Sequence, residues 1–129
     1  MRKKHISEET GIYLVYTKST KLQSIYKAKN YKTQVNNQYT KIGITQNSFA
    51  SRKKTYEANF GSDLVFKELI ILDKKHLKNV EDEIINKLKQ EFNKVGSSRE
   101  WFDTTDRGRI IEIVRDILSK TNFYYEVVF

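Results

Sequence analysis

Three charged side chains, Lys41, Arg52 and Glu81, are of types that together suit phosphate chemistry. Lys41 lies in the run from Tyr39 to Thr45, which is rich in strand-forming residues and contains Gly43, where another backbone or a ligand can approach closely. Arg52 follows on a predicted helix, and Glu81 lies on a later one. A lysine, an arginine and a carboxylate that meet at one place could neutralise a phosphate and bind a metal ion.

Arg52 is unusual because it falls inside the apolar stripe of its own helix. The pattern predicts this helix from Ser48 to about Asn59, with Asn47 or Ser48 as the N-cap. The other members of the stripe, at helical spacing, are Phe49, Tyr56 and Phe60. A solvated basic residue is better placed at Lys53 or Lys54, so we expect Arg52 to meet a partner where the helix joins the sheet.

Glu81 is unusual for the same reason. A second helix is predicted from roughly His76 to Asn93, and Glu81 lies among its apolar positions, whereas Glu83 projects from the opposite side. These apolar positions are Leu77, Ile84, Ile85, Leu88 and Phe92. A buried carboxylate requires a compensating cation, which could be a metal ion or an arginine. A buried ion pair between Arg52 and Glu81 is therefore an alternative to a catalytic role for the two residues.

The remaining elements complete a small α/β fold, with a central antiparallel or mixed sheet of three or more strands flanked by three helices. Strands are predicted from Gly11 to Thr17 and after Gly61. The strand after Gly61 is expected to be largely buried, and therefore to lie at the centre of the sheet. Trp101 and Phe102 form a short extended piece anchored in the core. Thr104 or Thr105 is expected to cap a third helix, and a final strand closes an edge of the sheet or pairs with a second molecule.

The charge is distributed unevenly along the chain. The net charge is +8, and the segment from Thr10 to Tyr56 contains nine Lys and Arg residues and no Asp or Glu. Such segregation favours nucleic acid as a polyanionic partner; a lysine-rich solubilising surface is the alternative. Residues 18–38 form a basic insertion, in which Lys27, Lys29 and Lys32 could follow a phosphate backbone; a solvated loop is the alternative.

Composition limits the other possibilities. A chain of 129 residues is long enough for one core, so we expect a single domain spanning residues 1–129. Without cysteine, and with only His5 and His76, a zinc cage is excluded, and any metal must be held mainly by carboxylates and water. No apolar run is long enough for a membrane span and the amino terminus does not resemble a signal peptide, so we expect an intracellular, cytoplasmic protein without membrane contact.

The order of motifs resembles the GIY-YIG endonuclease superfamily. The motifs are Gly11-Ile12-Tyr13, Lys41-Ile42-Gly43, Arg52 on the next helix, Glu81 on a later helix and Arg99-Glu100-Trp101-Phe102. The closest similarity is to the phage and bacterial branch in which the second motif is KIG. The gap between the first two motifs is longer than is usual in the family.

The resemblance implies a role for each matching residue. Tyr13 would orient or activate the attacking water, Arg52 would hold the scissile phosphate, and Glu81 would be the single protein ligand of Mg²⁺ or Mn²⁺. Tyr56 stands one turn after Arg52, where the family often has histidine, and Lys41 stands where tyrosine is usual.

Other roles are less constrained by the resemblance. Lys41 could act as a fixed ammonium or as a neutral amine that accepts a proton, and we expect the second role. Lys53, Lys54 and Arg99 are candidate phosphate contacts, and Glu100 is a candidate backbone cap.

The predicted function is that of a metal-dependent DNA endonuclease with one active site per chain. A homodimer or a partner chain could supply specificity. The alternatives are a nucleic-acid-binding module that has lost catalysis and a protein-interaction module with a basic surface; in both, Tyr13 could be an ordinary cross-strand aromatic. The feature that separates them is whether Tyr13, Lys41, Arg52 and Glu81 converge on one concave surface.

Overall fold

The computed structural model describes residues 5–25, 33–96 and 98–129 and has an α/β fold. Five antiparallel strands form one sheet in the order β6-β4-β1-β5-β7. These strands are β1 (Gly11–Thr17), β4 (Thr40–Thr45), β5 (Leu64–Leu72), β6 (Trp101–Phe102) and β7 (Tyr125–Val127). The short strands β2 (Gln23–Ser24) and β3 (Gln34–Val35) pair separately. The predicted fold class is confirmed, and the sheet is antiparallel rather than mixed.

Three helices flank the sheet, as expected: α1 (Phe49–Phe60), α2 (Lys74–Glu91) and α3 (Arg107–Ser119). Ser48 caps α1 by accepting a hydrogen bond from the backbone N–H of Ser51, which confirms the predicted start of this helix. The expected cap of α3 is wrong. Asp106 caps this helix by accepting from the backbone N–H of Arg109, because its carboxylate lies directly before the first helical turn.

The strand at the centre of the sheet, β1, sends alternate side chains to two different cores. Ile12 and Leu14 pack with α2 and α3, whereas Tyr13 and Val15 pack with α1. All four are buried. The two helical layers therefore lie on opposite faces of the sheet, and Tyr13 belongs to the face covered by α1.

Strand β5 lies between β1 and β7, so β1 occupies the centre that the sequence pattern assigned to β5. Several β5 side chains are only half-buried because β7 is a short edge strand beside it. The register between β1 and β5 shifts after Ile12, which pairs with Ile70, so that Tyr13 pairs with Glu68. This irregularity has the form of a β-bulge, a feature that redirects side chains next to functional sites.

The two ends of the basic insertion pair as a short hairpin, and this hairpin contacts α1. Strands β2 and β3 pair antiparallel, and the Asn59 side-chain amide donates a hydrogen bond to the Ser24 carbonyl. Val35 is buried in the core beneath α1. Lys27, Lys29 and Lys32 lie outside the described residues.

The carboxyl-terminal strand β7 pairs with β5 and closes that edge of the sheet, the first of the two expected outcomes.

The helices among the described residues include none with the length and apolar character that a membrane crossing requires.

Candidate active site

A polar cleft of about 580 Å³ opens where β1, β4, α1 and α2 meet. Tyr13, Lys41, Arg52 and Glu81 all line it, one from each of these elements. The lining also includes Lys78 and Glu100, with Ile44, Thr45, Gln46, Asn47, Ser51 and Thr55. The structure thus brings together four of the five predicted catalytic residues. The fifth, Tyr56, contacts Tyr13 from α1.

Gly43 allows the Tyr13 ring to lie across strand β4. The two residues are directly opposite each other in the antiparallel register. A Cβ atom on residue 43 would lie 2.6 Å from both Cζ and the hydroxyl oxygen of Tyr13, closer than any normal contact. The sequence predicts the close approach of another backbone or a ligand at Gly43, whereas the group that approaches it in the structure is the side chain of Tyr13. This contact gives a physical reason for a glycine opposite the tyrosine.

The Tyr13 hydroxyl is held by Tyr56. The two hydroxyl oxygens are 2.8 Å apart, and the Tyr13 ring also stacks on Phe66 with 4.8 Å between ring centroids. Burial raises the pKa of Tyr13 far above its usual range, and burial also raises the pKa of Tyr56. Both phenols are therefore neutral at pH 7. A neutral pair can orient a water molecule or a phosphate oxygen but does not supply a tyrosinate.

Lys41 is buried, with 5% of its surface exposed, and forms an ion pair with a residue that the sequence patterns did not assign to it. Its Nζ lies 3.0 Å from Glu100 Oε1 and 5.0 Å from the centroid of the Tyr56 ring. The pairing of β4 with β6 places Glu100 beside Lys41, and Ile42 N–H donates to the Glu100 carbonyl. The side chain of Glu100 therefore binds a cation, in contrast to the expected role as a backbone cap.

Glu81 is buried in the wall of the cleft, with 4% of its surface exposed. Its Oε1 accepts a hydrogen bond from Arg99 Nη1 at 3.1 Å and lies 3.6 Å from Lys78 Nζ. Burial, followed by the neighbouring Glu100 carboxyl, raises the pKa of Glu81 to about 7, although Arg99 opposes this shift. Arg99, predicted as a phosphate contact, also pairs with Asp82 and so lies against carboxylates.

Arg52 is half-buried at the mouth of the cleft. Its guanidinium makes no hydrogen bond or ion pair within the described part of the chain, whereas Glu81 pairs with Lys78 and Arg99. The alternative of a buried Arg52–Glu81 ion pair is therefore wrong. Lys53 and Lys54, also on α1, are exposed, as a role in binding a polyanion requires.

The donor set suits one hard cation. Glu81 Oε2 is buried and accepts no hydrogen bond from an N–H or hydroxyl group of the described residues, while a hydrogen bond with the Glu100 carboxyl contributes to the raised pKa of Glu81. A cation, or a proton shared with Glu100, can therefore satisfy this carboxylate. No group of three or more His, Asp or Glu side chains that could hold a metal ion occurs within residues 5–25, 33–96 and 98–129. Glu81 could hold a cation, with water and substrate oxygens as the remaining ligands.

Sequence reasoning missed Glu100 and Lys78 as residues of the site. Lys78 lies three residues before Glu81, and this helical spacing is a signal that could have identified it. Glu100 belongs to the Arg99-Glu100-Trp101-Phe102 motif, but no signal indicated its pairing with Lys41, because the chain between the two residues includes two helices and a strand.

Comparison with known proteins supplies one match. The comparisons with curated proteins and with solved structures gave no significant match. The T5orf172 domain matches residues 12–119, which contain the whole cleft. That domain is phage-associated and related to nucleases. The chain belongs to the T5orf172 domain family.

Proposed function

We propose that this protein is a metal-dependent DNA endonuclease of the GIY-YIG type, which hydrolyses phosphodiester bonds with Mg²⁺ or Mn²⁺. The observation that carries the proposal is the convergence of Tyr13, Lys41, Arg52 and Glu81 on one cleft. Membership of a nuclease-associated family supports it at a coarser level. Each chain carries one such cleft, so one visit produces a nick, and a double-strand break requires two chains or two events.

Arg52 is the residue best suited to bind the scissile phosphate. Hydrolysis increases the negative charge on the phosphoryl oxygens, so a fixed guanidinium stabilises the transition state more than the ground state. Arg52 has no counter-ion among the described residues, whereas Lys41 and Lys78 are both ion-paired. Its free guanidinium can therefore form a bidentate contact with phosphate without first breaking an ion pair.

The Tyr13 and Tyr56 hydroxyls would orient the attacking water. Their mutual hydrogen bond and the stacking of Tyr13 on Phe66 fix the direction in which the Tyr13 oxygen points. Because both phenols are neutral at pH 7, we assign them an orienting role and not that of a base. We assign Lys41 as a fixed cation, because its ion pair with Glu100 favours this role over the expected proton acceptor.

Glu81 would hold the metal ion through its unpartnered Oε2. A divalent cation at this position would supply Lewis-acid stabilisation of charge on the phosphate. Arg99 and Lys78 occupy the other oxygen, Oε1, and keep the carboxylate oriented towards the cleft. Mg²⁺ normally keeps several water ligands, which is compatible with a site built on one carboxylate.

A nucleic-acid-binding module without catalysis remains the second candidate. Such a module needs the basic surface of α1 but does not need the buried carboxylate of Glu81. A buried carboxylate oxygen without a hydrogen-bond donor lowers the stability of the fold, and a bound cation offsets this cost. The burial of Glu81 therefore favours the catalytic proposal.

Incubation of the purified protein with supercoiled plasmid, with and without Mg²⁺, tests the proposal. The parent should convert the plasmid to the nicked form only with the metal. Glu81→Gln keeps the size of the side chain but removes its charge, so nicking should fall at least about a hundredfold while DNA binding survives. Glu83→Gln is the matched control, because Glu83 is exposed on the same helix.

Two results would contradict the proposal. If the parent leaves the plasmid intact under all metal conditions but binds DNA, the chain is a binding module. If Glu81→Gln nicks as fast as Glu83→Gln, the metal ligand has been assigned wrongly.

A further inference from the structure

We propose that Glu100 is a positioning residue that fixes Lys41, a cation of the cleft, and contacts Arg99, the partner of Glu81, so that both lie in the orientation that cleavage requires. This inference rests on the proposed nuclease function. Neither the family match nor the motif pattern assigns this role to Glu100.

The two carboxylate oxygens of Glu100 contact two different cations. Oε1 lies 3.0 Å from Lys41 Nζ, which β4 carries, and Oε2 lies 3.8 Å from Nη1 of the preceding residue, Arg99. Arg99 in turn holds Glu81 Oε1. Glu100 thus connects the sheet side of the site, with Lys41, to the helix side, with Glu81.

The backbone of Glu100 is held by the edge of the sheet. Its carbonyl accepts a hydrogen bond from Ile42 N–H at 3.2 Å, and the next residue, Trp101, pairs with Lys41 and is buried. Glu100 itself lies in the bend directly before β6, so its carboxylate is restrained by these two backbone anchors. The 25% exposed side chain of Glu100 still faces the cleft.

Lys41 needs a fixed counter-ion for a physical reason, whereas Arg99 is partly exposed and already pairs with Glu81 and Asp82. Lys41 is buried, so its ammonium would lose solvation without a nearby carboxylate. Lysine and arginine also have long, flexible side chains, and an electrostatic contact assists catalysis most when its geometry is set before the reaction. Glu100 restrains both side chains and prevents Lys41 from binding phosphate in unproductive positions.

The test compares the parent with Glu100→Gln, Glu100→Asp and the remote charge control Glu83→Gln. Two quantities are measured: the single-turnover nicking rate at saturating protein with Mg²⁺, and DNA affinity in chelator over a series of salt concentrations. Glu100→Gln releases Lys41 from its counter-ion. We expect nicking to fall at least about tenfold, while affinity is retained or increases and the salt dependence steepens by up to about 0.9 log unit. Glu100→Asp should recover part of the rate.

The outcomes separate this inference from the proposed function. Parental nicking by Glu100→Gln would overturn the positioning role and leave the nuclease proposal intact. A lower rate accompanied by weaker DNA binding and a lower melting temperature, in both Glu100 variants, would show a purely structural role and also overturn it. A parent that never nicks refutes the proposed function itself, and the affinity of Glu100→Gln then still decides whether Glu100 restrains Lys41.

Discussion

Replacing Gly43 by alanine tests whether the ring of Tyr13 lies on strand β4. The new Cβ would lie 2.6 Å from two atoms of Tyr13, whereas ordinary contacts begin at 3.4 Å. The ring must therefore withdraw by about 1 Å. It cannot do so freely, because it is 2% exposed and stacks on Phe66 at 4.8 Å on the α1 face.

The magnitude follows from two contributions. Overpacking of a filled core costs about 1–3 kcal/mol. A shift of about 1 Å would also lengthen the 2.8 Å contact between the Tyr13 and Tyr56 hydroxyls beyond hydrogen-bonding range, which costs about 1 kcal/mol. Together these predict that Gly43→Ala lowers the free energy of unfolding by about 2–4 kcal/mol. Nicking should fall about a hundredfold, because misplacement by about 1 Å has effects of that size.

The assay is urea unfolding together with plasmid nicking at a temperature where the variant stays folded. Gly108→Ala is the control, since the nearest atom to a Cβ there is 3.8 Å away and the residue lies in α3. That change should leave nicking intact and raise stability by about 0.4–1 kcal/mol. If Gly43→Ala matches Gly108→Ala in both measurements, the packing of Tyr13 against residue 43 is not what requires glycine.

Three further predictions concern charge. Lys41→Met should slow nicking about a hundredfold, whereas Lys41→Arg should keep a measurable part of the rate, as expected of a fixed cation. If pH–rate profiles show that both variants lose the same fraction of the nicking rate, Lys41 acts as a proton acceptor. Joint replacement of Lys27, Lys29 and Lys32 should weaken DNA binding and flatten its salt dependence by up to about 0.9 log unit per lysine, and an unchanged slope would leave the insertion as a solvated loop. The pKa of Glu81 is raised from 4.5 to about 7, so its contribution to stability is fully present below pH 4.5 and is lost as the pH rises to about 7, by at most about 3 kcal/mol. Urea unfolding in chelator should show this decline for the parent and a flatter profile for Glu81→Gln; identical profiles would contradict the raised pKa.

Much of the local structure could be predicted because it depends on neighbours in the chain. The β-branched and aromatic run from Gly11 to Thr17 forms the expected strand, and Ser48 caps the expected helix. The burial of Glu81 also followed from the apolar residues three and four positions away. Short-range periodicity identifies the apolar side of an element, so these features need no knowledge of the fold.

The composition of the site depended on tertiary structure. Periodicity does not state which other element an apolar or charged side will face, so neither the pairing of Glu81 with Arg99 nor that of Lys41 with Glu100 could be predicted from the pattern. Arg99 reaches Glu81, and Glu100 reaches Lys41, only because β6 pairs with β4 at the edge of the sheet.

Register decided the contact between Tyr13 and Gly43. A shift of one residue would turn every side chain of β1 to the opposite face, and the sequence between the two strands contains a long insertion that does not fix the register locally. Local patterns in the chain were enough to predict the main strands, the helices and the residue types available for phosphate chemistry. Which of these residues meet depends on strand pairing and helix packing, which join residues that are far apart in the chain.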